Sequence, residues 1–170
     1  MSWDGVSDSV CPIARACSVV GDRWTLLILR ELVMGTRRFD ELQAQTGMSS
    51  HLLSVRLKRL EKDGVIERNL YSKRPPRYEY RRTAKGKELD PVILLLRQWG
   101  MKYGGFGPKE EPAARLVYKK TGRVIDENWR MPCDGKRFTF DDVESTIGKS
   151  WAKERDAKRT AFRSAKGLSE

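Results

Sequence analysis

Residues 71–82 read YSKRPPRYEYRR: Lys73, Arg74, Arg77, Arg81 and Arg82 stand against one acid, Glu79, with Pro75 and Pro76 adjacent in the middle. Guanidinium and ammonium groups on a stiff support suit the recognition of phosphate oxygens. Over residues 68–87 there are eight Lys/Arg and one Asp/Glu, in a chain of 170 residues whose net charge is +11. The positive potential is therefore concentrated, as on a surface that meets nucleic acid. A merely solvated cationic face fits the same residues, and the neighbouring sequence has to decide between the two.

Other reactive residue types are few. Cys11, Cys17 and Cys133 are odd in number and widely spaced, which suggests neither a disulfide framework nor a metal cage. His51 is the one histidine, so a structural zinc site is short of ligands. The chain has no glycine-rich phosphate loop, paired-carboxylate motif or nucleophile motif. No metal, no cofactor and no enzymatic activity are expected.

The elements that position the basic run can be read outward from it. Alternating and aromatic residues on either side predict strands over 65–72 and 78–82, with 73–77 as a rigid tip carrying Lys73, Arg74 and Arg77. Prolines there lower the entropy lost when the loop is ordered on a partner. Upstream, a short helix bearing Phe39 and Leu42 ends at Gly47, Met48 plugs the turn, and Ser49 caps a longer helix that ends at Gly64. Helix, tight turn and helix form the helix-turn-helix pattern, and the basic hairpin after it is a wing.

At about 100° per residue, Leu53, Leu57 and Leu60 share one stripe of the second helix, and His51, Val55, Lys58, Arg59 and Lys62 lie opposite. That layout suits entry into a major groove. Ser49 caps the helix; Ser50, His51, Ser54 and Val55 are the candidates for base edges, and Arg56, Lys58 and Arg59 for the phosphate backbone. A surface histidine without a role is the other reading of His51.

Two helices come first. One starts at Pro12 and runs to Gly21; the next, capped by Asp22, carries apolar residues on most sides, Leu26 and Leu29 among them, until Gly35. After Thr83 another helix is expected, kinked or started late by Pro91, with a stripe of Leu89, Val92, Ile93, Leu96, Trp99 and Tyr103. So much apolar surface on a small domain points to a homodimer interface formed by these residues with Leu26 and Leu29. A symmetric dimer would present two recognition helices about 34 Å apart to a palindromic operator in double-stranded DNA.

The runs CPIARACSVVGDRWTLLILREL, RRFDELQAQTGMSSHLLSVRLKRLEKDGVIER, YSKRPPRYEYRRTAKGKEL and LLLRQWG resemble the HxlR-type winged helix-turn-helix transcriptional regulators, related to the MarR class, over residues 11–104. The resemblance implies a homodimeric bacterial or archaeal regulator of nearby promoters. It also implies that Cys11, in the family's Cys-Pro position, is either an oxidant or electrophile sensor or a packing residue at the dimer interface. A helix N-terminus favours a thiolate. An effector pocket lined by Trp24, Leu27, Trp99 and Tyr103 is open on the same terms, against plain core. A winged-helix protein-interaction module is the alternative function, disfavoured by the cationic face.

The fold expected is mainly α with a small β wing: a winged helix-turn-helix domain with a long dimerisation helix over 1–104, a linker over 105–112, a small β-rich, metal-free, ribbon-like appendage over 113–148, and a basic helical or disordered tail over 149–170. No apolar run approaches the roughly 18 residues of a membrane span, and the N-terminal residues lack an apolar segment of the signal-peptide kind, so a cytoplasmic protein without membrane contact is expected.

Overall fold

The computed structural model describes residues 3–105 and 113–167. The chain folds into two compact units, residues 1–86 and 87–170.

The first unit is helical with a two-stranded wing. A 3-10 turn, Trp3–Asp8, leads into α1 (Pro12–Val20), α2 (Arg23–Val33), α3 (Phe39–Thr46) and α4 (Ser50–Lys62). Asp22 caps α2: its Oδ1 accepts from the backbone N–H groups of Trp24 and Thr25, both at 3.0 Å, which satisfies two donors left open at a helix start. Gly47 ends α3 at φ +72°, a left-handed conformation that a side chain would strain. Met48 is buried beyond it, and Ser49 Oγ accepts from Leu52 N at 3.2 Å to start α4.

Ile28, Leu29, Leu32, Leu42, Leu53, Leu57, Leu60, Val65 and Ile66 are buried in this unit and bring all three of α2, α3 and α4 onto one core. The leucine stripe expected on the recognition helix is the stripe found inside. Leu29, expected at a subunit interface, is 1% exposed and belongs to this core; of that pair only Leu26 stays half-buried. Glu31 is also fully buried, and its carboxylate accepts from Arg30 Nη2 at 2.7 Å and from Thr36 Oγ1 at 3.0 Å. Those bonds meet the requirement that a buried charge be paired, and they hold the turn between α2 and α3.

The wing is an antiparallel hairpin of β1 (Ile66–Lys73) and β2 (Pro76–Arg82), with Lys73 opposite Pro76 and a bulge between Leu70 and Ser72. Both strands run closer to the tip than the sequence suggested, leaving only Arg74 and Pro75 as the turn. Pro76 is tolerated because it is the first residue of its strand. After β2, Thr83 Oγ1 donates to Gly64 O at 2.7 Å and accepts from Gly86 N at 3.1 Å, which caps the short α5 (Ala84–Lys87). A Cβ on Gly86 would lie 2.1 Å from Val65 O, so only glycine fits this corner.

The second unit contains α6 (Asp90–Tyr103), β3 (Ala114–Tyr118), β4 (Arg123–Val124), β5 (Val143–Ile147) and α7 (Lys149–Ala165). Pro91 sits in the first turn of α6, so of the two outcomes expected for it the late start is the one found. Helix α6, grouped from the sequence with the residues before it, packs within the unit that follows. Its Leu94 is buried with Ala114, Leu116, Tyr118, Ile125, Phe138 and Val143, and Trp129, Phe140 and Trp151 close the cluster. Asp90 Oδ2 accepts from Thr139 Oγ1 at 3.0 Å and Phe140 N at 2.9 Å, while Arg97 donates to Ile125 O at 3.0 Å and Ala114 O at 2.9 Å. Burial lowers the Arg97 pKa from its ordinary value, against the opposing pull of Glu127 and Asp126.

The sheet has the order β4-β3-β5, antiparallel throughout. Turns fall at Gly122 and Gly135, both with positive φ. An aromatic core, with Tyr118 and Trp129 ring centroids 5.4 Å apart, organises this unit. Cys133 is exposed, and the described residues contain no group of three or more His, Cys, Asp or Glu that could hold a metal. Residues 149–165 form a regular helix.

Candidate nucleic-acid interface

The outward face of α4 is assembled by its cap and its core stripe. With Leu53, Leu57 and Leu60 turned inward, Ser49, Ser50, His51, Val55, Lys58, Arg59 and Lys62 are exposed, and Ser54 and Arg56 are half-buried. Small groups and an imidazole therefore cluster near the N-terminal end, with ammonium groups further along. This is the order in which a helix in a groove meets base edges and then phosphates.

Two of the cations expected on the DNA backbone are engaged by their own chain. Arg56 Nη1 lies 3.5 Å from Asp22 Oδ2, the same carboxylate that caps α2. Arg59 Nη2 donates to Ser18 O at 2.6 Å and its Nε faces Asp63 at 3.9 Å. Both arginines tie α4 to the helices behind it. The helical wheel did not reveal this, because a residue flanking the apolar stripe can point to solvent or to a neighbouring helix.

The wing presents Lys73, Arg74 and Arg77, all exposed, at and beside a two-residue tip. Ser72 Oγ donates to Pro75 O at 3.1 Å and braces the turn. The base of the wing is fastened at two places that sequence reasoning missed. Tyr80 N donates to Arg37 O at 2.9 Å, and Arg38 pairs with Glu79 as an isolated antiparallel bridge, so the segment before α3 is pinned to β2. Arg38 also lies over the Tyr71 ring, 4.9 Å from its centroid. On the other side, Arg68 Nε faces Glu61 at 3.0 Å and its guanidinium is 4.8 Å from the Tyr78 ring, joining β1 to the end of α4. Burial raises the pKa of the neighbouring Tyr80 hydroxyl, with the Arg68 charge acting in opposition. The RRF and YEY runs were the available signal, but their pairing needs the fold.

The remaining candidates divide by unit. On α6, Val92, Leu95, Leu96, Trp99 and Tyr103 form an exposed stripe, with Leu95, Trp99 and Tyr103 at 53%, 63% and 59%. Leu89 and Ile93 are half-buried. Trp99 and Tyr103 are in ring contact, tilted at 46° with centroids 5.4 Å apart. In the first unit, Trp24 and Leu27 are half-buried, and Cys11 is exposed at the N-cap of α1 with its N–H donating to Ser9 Oγ at 3.1 Å.

A helix-turn-helix with a basic, two-stranded wing fastened to both of its helices defines a winged helix-turn-helix protein of the DNA-binding class. The family model described as HxlR-like helix-turn-helix matches residues 19–106, and the chain belongs to that family of transcriptional regulators. It is similar to an uncharacterized HTH-type transcriptional regulator of Mycobacterium tuberculosis, 46% identical over 136 residues that cover 80% of this chain and 85% of that one. Among solved structures it is similar to PA1607, described as a candidate transcription factor, with 32% identity, a TM-score of 0.63 and coverage of 84% and 97% of the two chains. It is also similar to the redox regulator HypR in its oxidized form, at 30% identity and TM-score 0.51, over 54% of this chain and 96% of that one. Among the described residues, no helix is long and apolar enough to cross a membrane.

Proposed function

We propose that the protein is a homodimeric, sequence-specific transcriptional regulator of the cytoplasm that places α4 in the major groove of a palindromic operator and its wing against the phosphate backbone or minor groove. Ser50, His51, Ser54 and Val55 read base edges, Lys58 meets phosphate, and Lys73, Arg74 and Arg77 grip the flanking backbone. Arg56 and Arg59 serve by orienting α4. The observation that carries this reading is the exposed face of α4, polar and cationic above a wholly apolar inner stripe, beside a braced cationic hairpin. Dimerisation through α6 is supported by Val92, Leu95, Leu96, Trp99 and Tyr103, an apolar stripe exposed in a single chain.

The test is selection of genomic DNA fragments by the purified protein at moderate salt. A palindromic motif with half-sites about one helical turn apart is the expected result. Weak binding without any motif would leave the winged-helix protein-interaction module as the better reading.

A second reading concerns control. The exposed thiol of Cys11 at a helix N-cap, together with the likeness to a redox regulator, supports oxidant or electrophile sensing by this residue. Loss of operator binding in diamide, abolished by Cys11→Ser, is the expected outcome; a response retained in that variant removes Cys11 from the role. A small-molecule effector acting near Trp24, Leu27, Trp99 or Tyr103 would register as a ligand-dependent change in the same operator binding.

A further inference from the structure

Helix α7 lies outside residues 19–106, and none of its residues is buried. Its sequence, KSWAKERDAKRTAFRSA, holds six Lys/Arg against Glu154 and Asp156. At about 100° per residue, Arg155, Arg159, Arg163, Lys149 and Lys153, with Lys166 just beyond the helix, fall within an arc of roughly 160°. Asp156 is the one acid on that arc. It faces Arg159 at 3.4 Å, both groups well exposed, and such a surface pair is weak enough to exchange for another anion. Glu154, on the far side, pairs with Lys158.

The apolar content of α7 is already committed. Trp151 packs on the core of the second unit with the Arg155 guanidinium 5.1 Å from its ring, and Phe162 is half-buried beneath the Lys166 ammonium, 4.5 Å away. The helix start is held by Gly148 N donating to Ala113 O at 3.0 Å. One side of α7 is thus anchored; Lys149, Lys153, Arg159 and Arg163 are exposed, while Arg155 is half-buried against Trp151. A helix that lies on a lipid surface needs a free apolar face, which α7 does not offer. A polyanion asks only for charge in a row. Seventeen residues span about 25 Å, the length of roughly seven base pairs of duplex.

We propose that α7 is a second, sequence-independent DNA-contact element whose cationic arc binds the phosphate backbone of the duplex. This rests on the DNA-binding reading above and adds to it a contact outside the winged helix-turn-helix. It predicts an affinity for duplex DNA that is steeper in salt than the wing and α4 alone would produce.

The experiment measures affinity for a short duplex of random sequence as a function of salt, using the full chain, with folding of each variant checked by circular dichroism. The combined variant Lys149→Gln, Lys153→Gln, Arg159→Gln and Arg163→Gln should lower the slope of log affinity against log salt by about 3.6 for each protomer on the duplex, since each lost phosphate contact removes roughly 0.9. A control with Arg115→Gln, Arg123→Gln and Lys136→Gln, exposed cations of the same unit, should stay within about 1 of the unsubstituted protein. An unchanged slope in the α7 variant overturns the inference, as does an equal loss in both variants, which would reflect net charge alone. So does loss of binding to phosphatidylserine vesicles with the DNA slope intact. If the unsubstituted protein shows no salt-dependent duplex binding, the proposed function itself fails, and that is seen before any variant is compared.

Discussion

Arg56 Nη1 lies 3.5 Å from Asp22 Oδ2, so the helix proposed to meet DNA is tied to the residue that caps the helix behind it. One carboxylate serves both jobs: Oδ1 satisfies the start of α2, and Oδ2 accepts from Thr25 Oγ1 at 2.6 Å while facing the guanidinium. A residue that counts as a cation of the outer face in the sequence thus already has a carboxylate partner within its own chain.

Arg56→Ala and Arg59→Ala are expected to lower thermal stability while leaving the salt dependence of DNA binding almost unchanged. Asp22→Ala should cost about 0.5–2 kcal/mol, the usual loss for an N-cap aspartate. Thermal melts paired with salt titrations separate the two effects, and a fall in salt slope for Arg56→Ala would return that residue to the phosphate-contact set.

Arg74→Ala and Arg77→Ala should behave in the opposite way. Each should weaken binding to specific and random duplexes alike and lower the salt slope by about 1 for each wing on the duplex, with little change in melting temperature. A loss confined to one sequence would assign them to base readout in the minor groove instead.

Ser50→Ala and His51→Ala are expected to change which sequence is preferred, by about 1–3 kcal/mol of discrimination at the base pair each one reads. Selection of DNA from a random pool by each variant measures this directly. Unchanged selectivity removes the residue from the base-reading set.

Leu96→Glu or Trp99→Ala on the exposed stripe of α6 should convert the proposed dimer to monomer in sedimentation and weaken binding to a two-half-site operator far more than to a single half-site. An undiminished dimer in both variants would place the subunit interface elsewhere.

Gly86→Ala should be destabilising by roughly 1–3 kcal/mol, the range for forcing extra atoms into a packed site. The added Cβ meets the Val65 carbonyl, a backbone atom that cannot swing aside, at 2.1 Å. Denaturant unfolding checks this, and a neutral result would mean that the α5 corner relaxes freely.

Local chemistry wrote much of this protein into its sequence. Asp22 and Ser49 mark helix starts, Gly47 a helix end, and Leu53, Leu57 and Leu60 an inner face, because caps, left-handed turns and 3.6-residue periodicity act over a few residues. The basic hairpin was legible on the same grounds, whereas Pro91 marked either a kink or a late start in α6 and left the choice open. What the tertiary structure decided were relationships across long stretches of chain: Arg56 with Asp22, Arg59 with Ser18, Arg38 with Glu79, and Leu29 in the core rather than at an interface. It also decided that α6 shares a core with β3 and β5 through Leu94. A wheel or an alternation pattern says which side of an element is apolar or charged. Only packing says what occupies the space beside it, and that determines whether an arginine is a DNA contact or a brace.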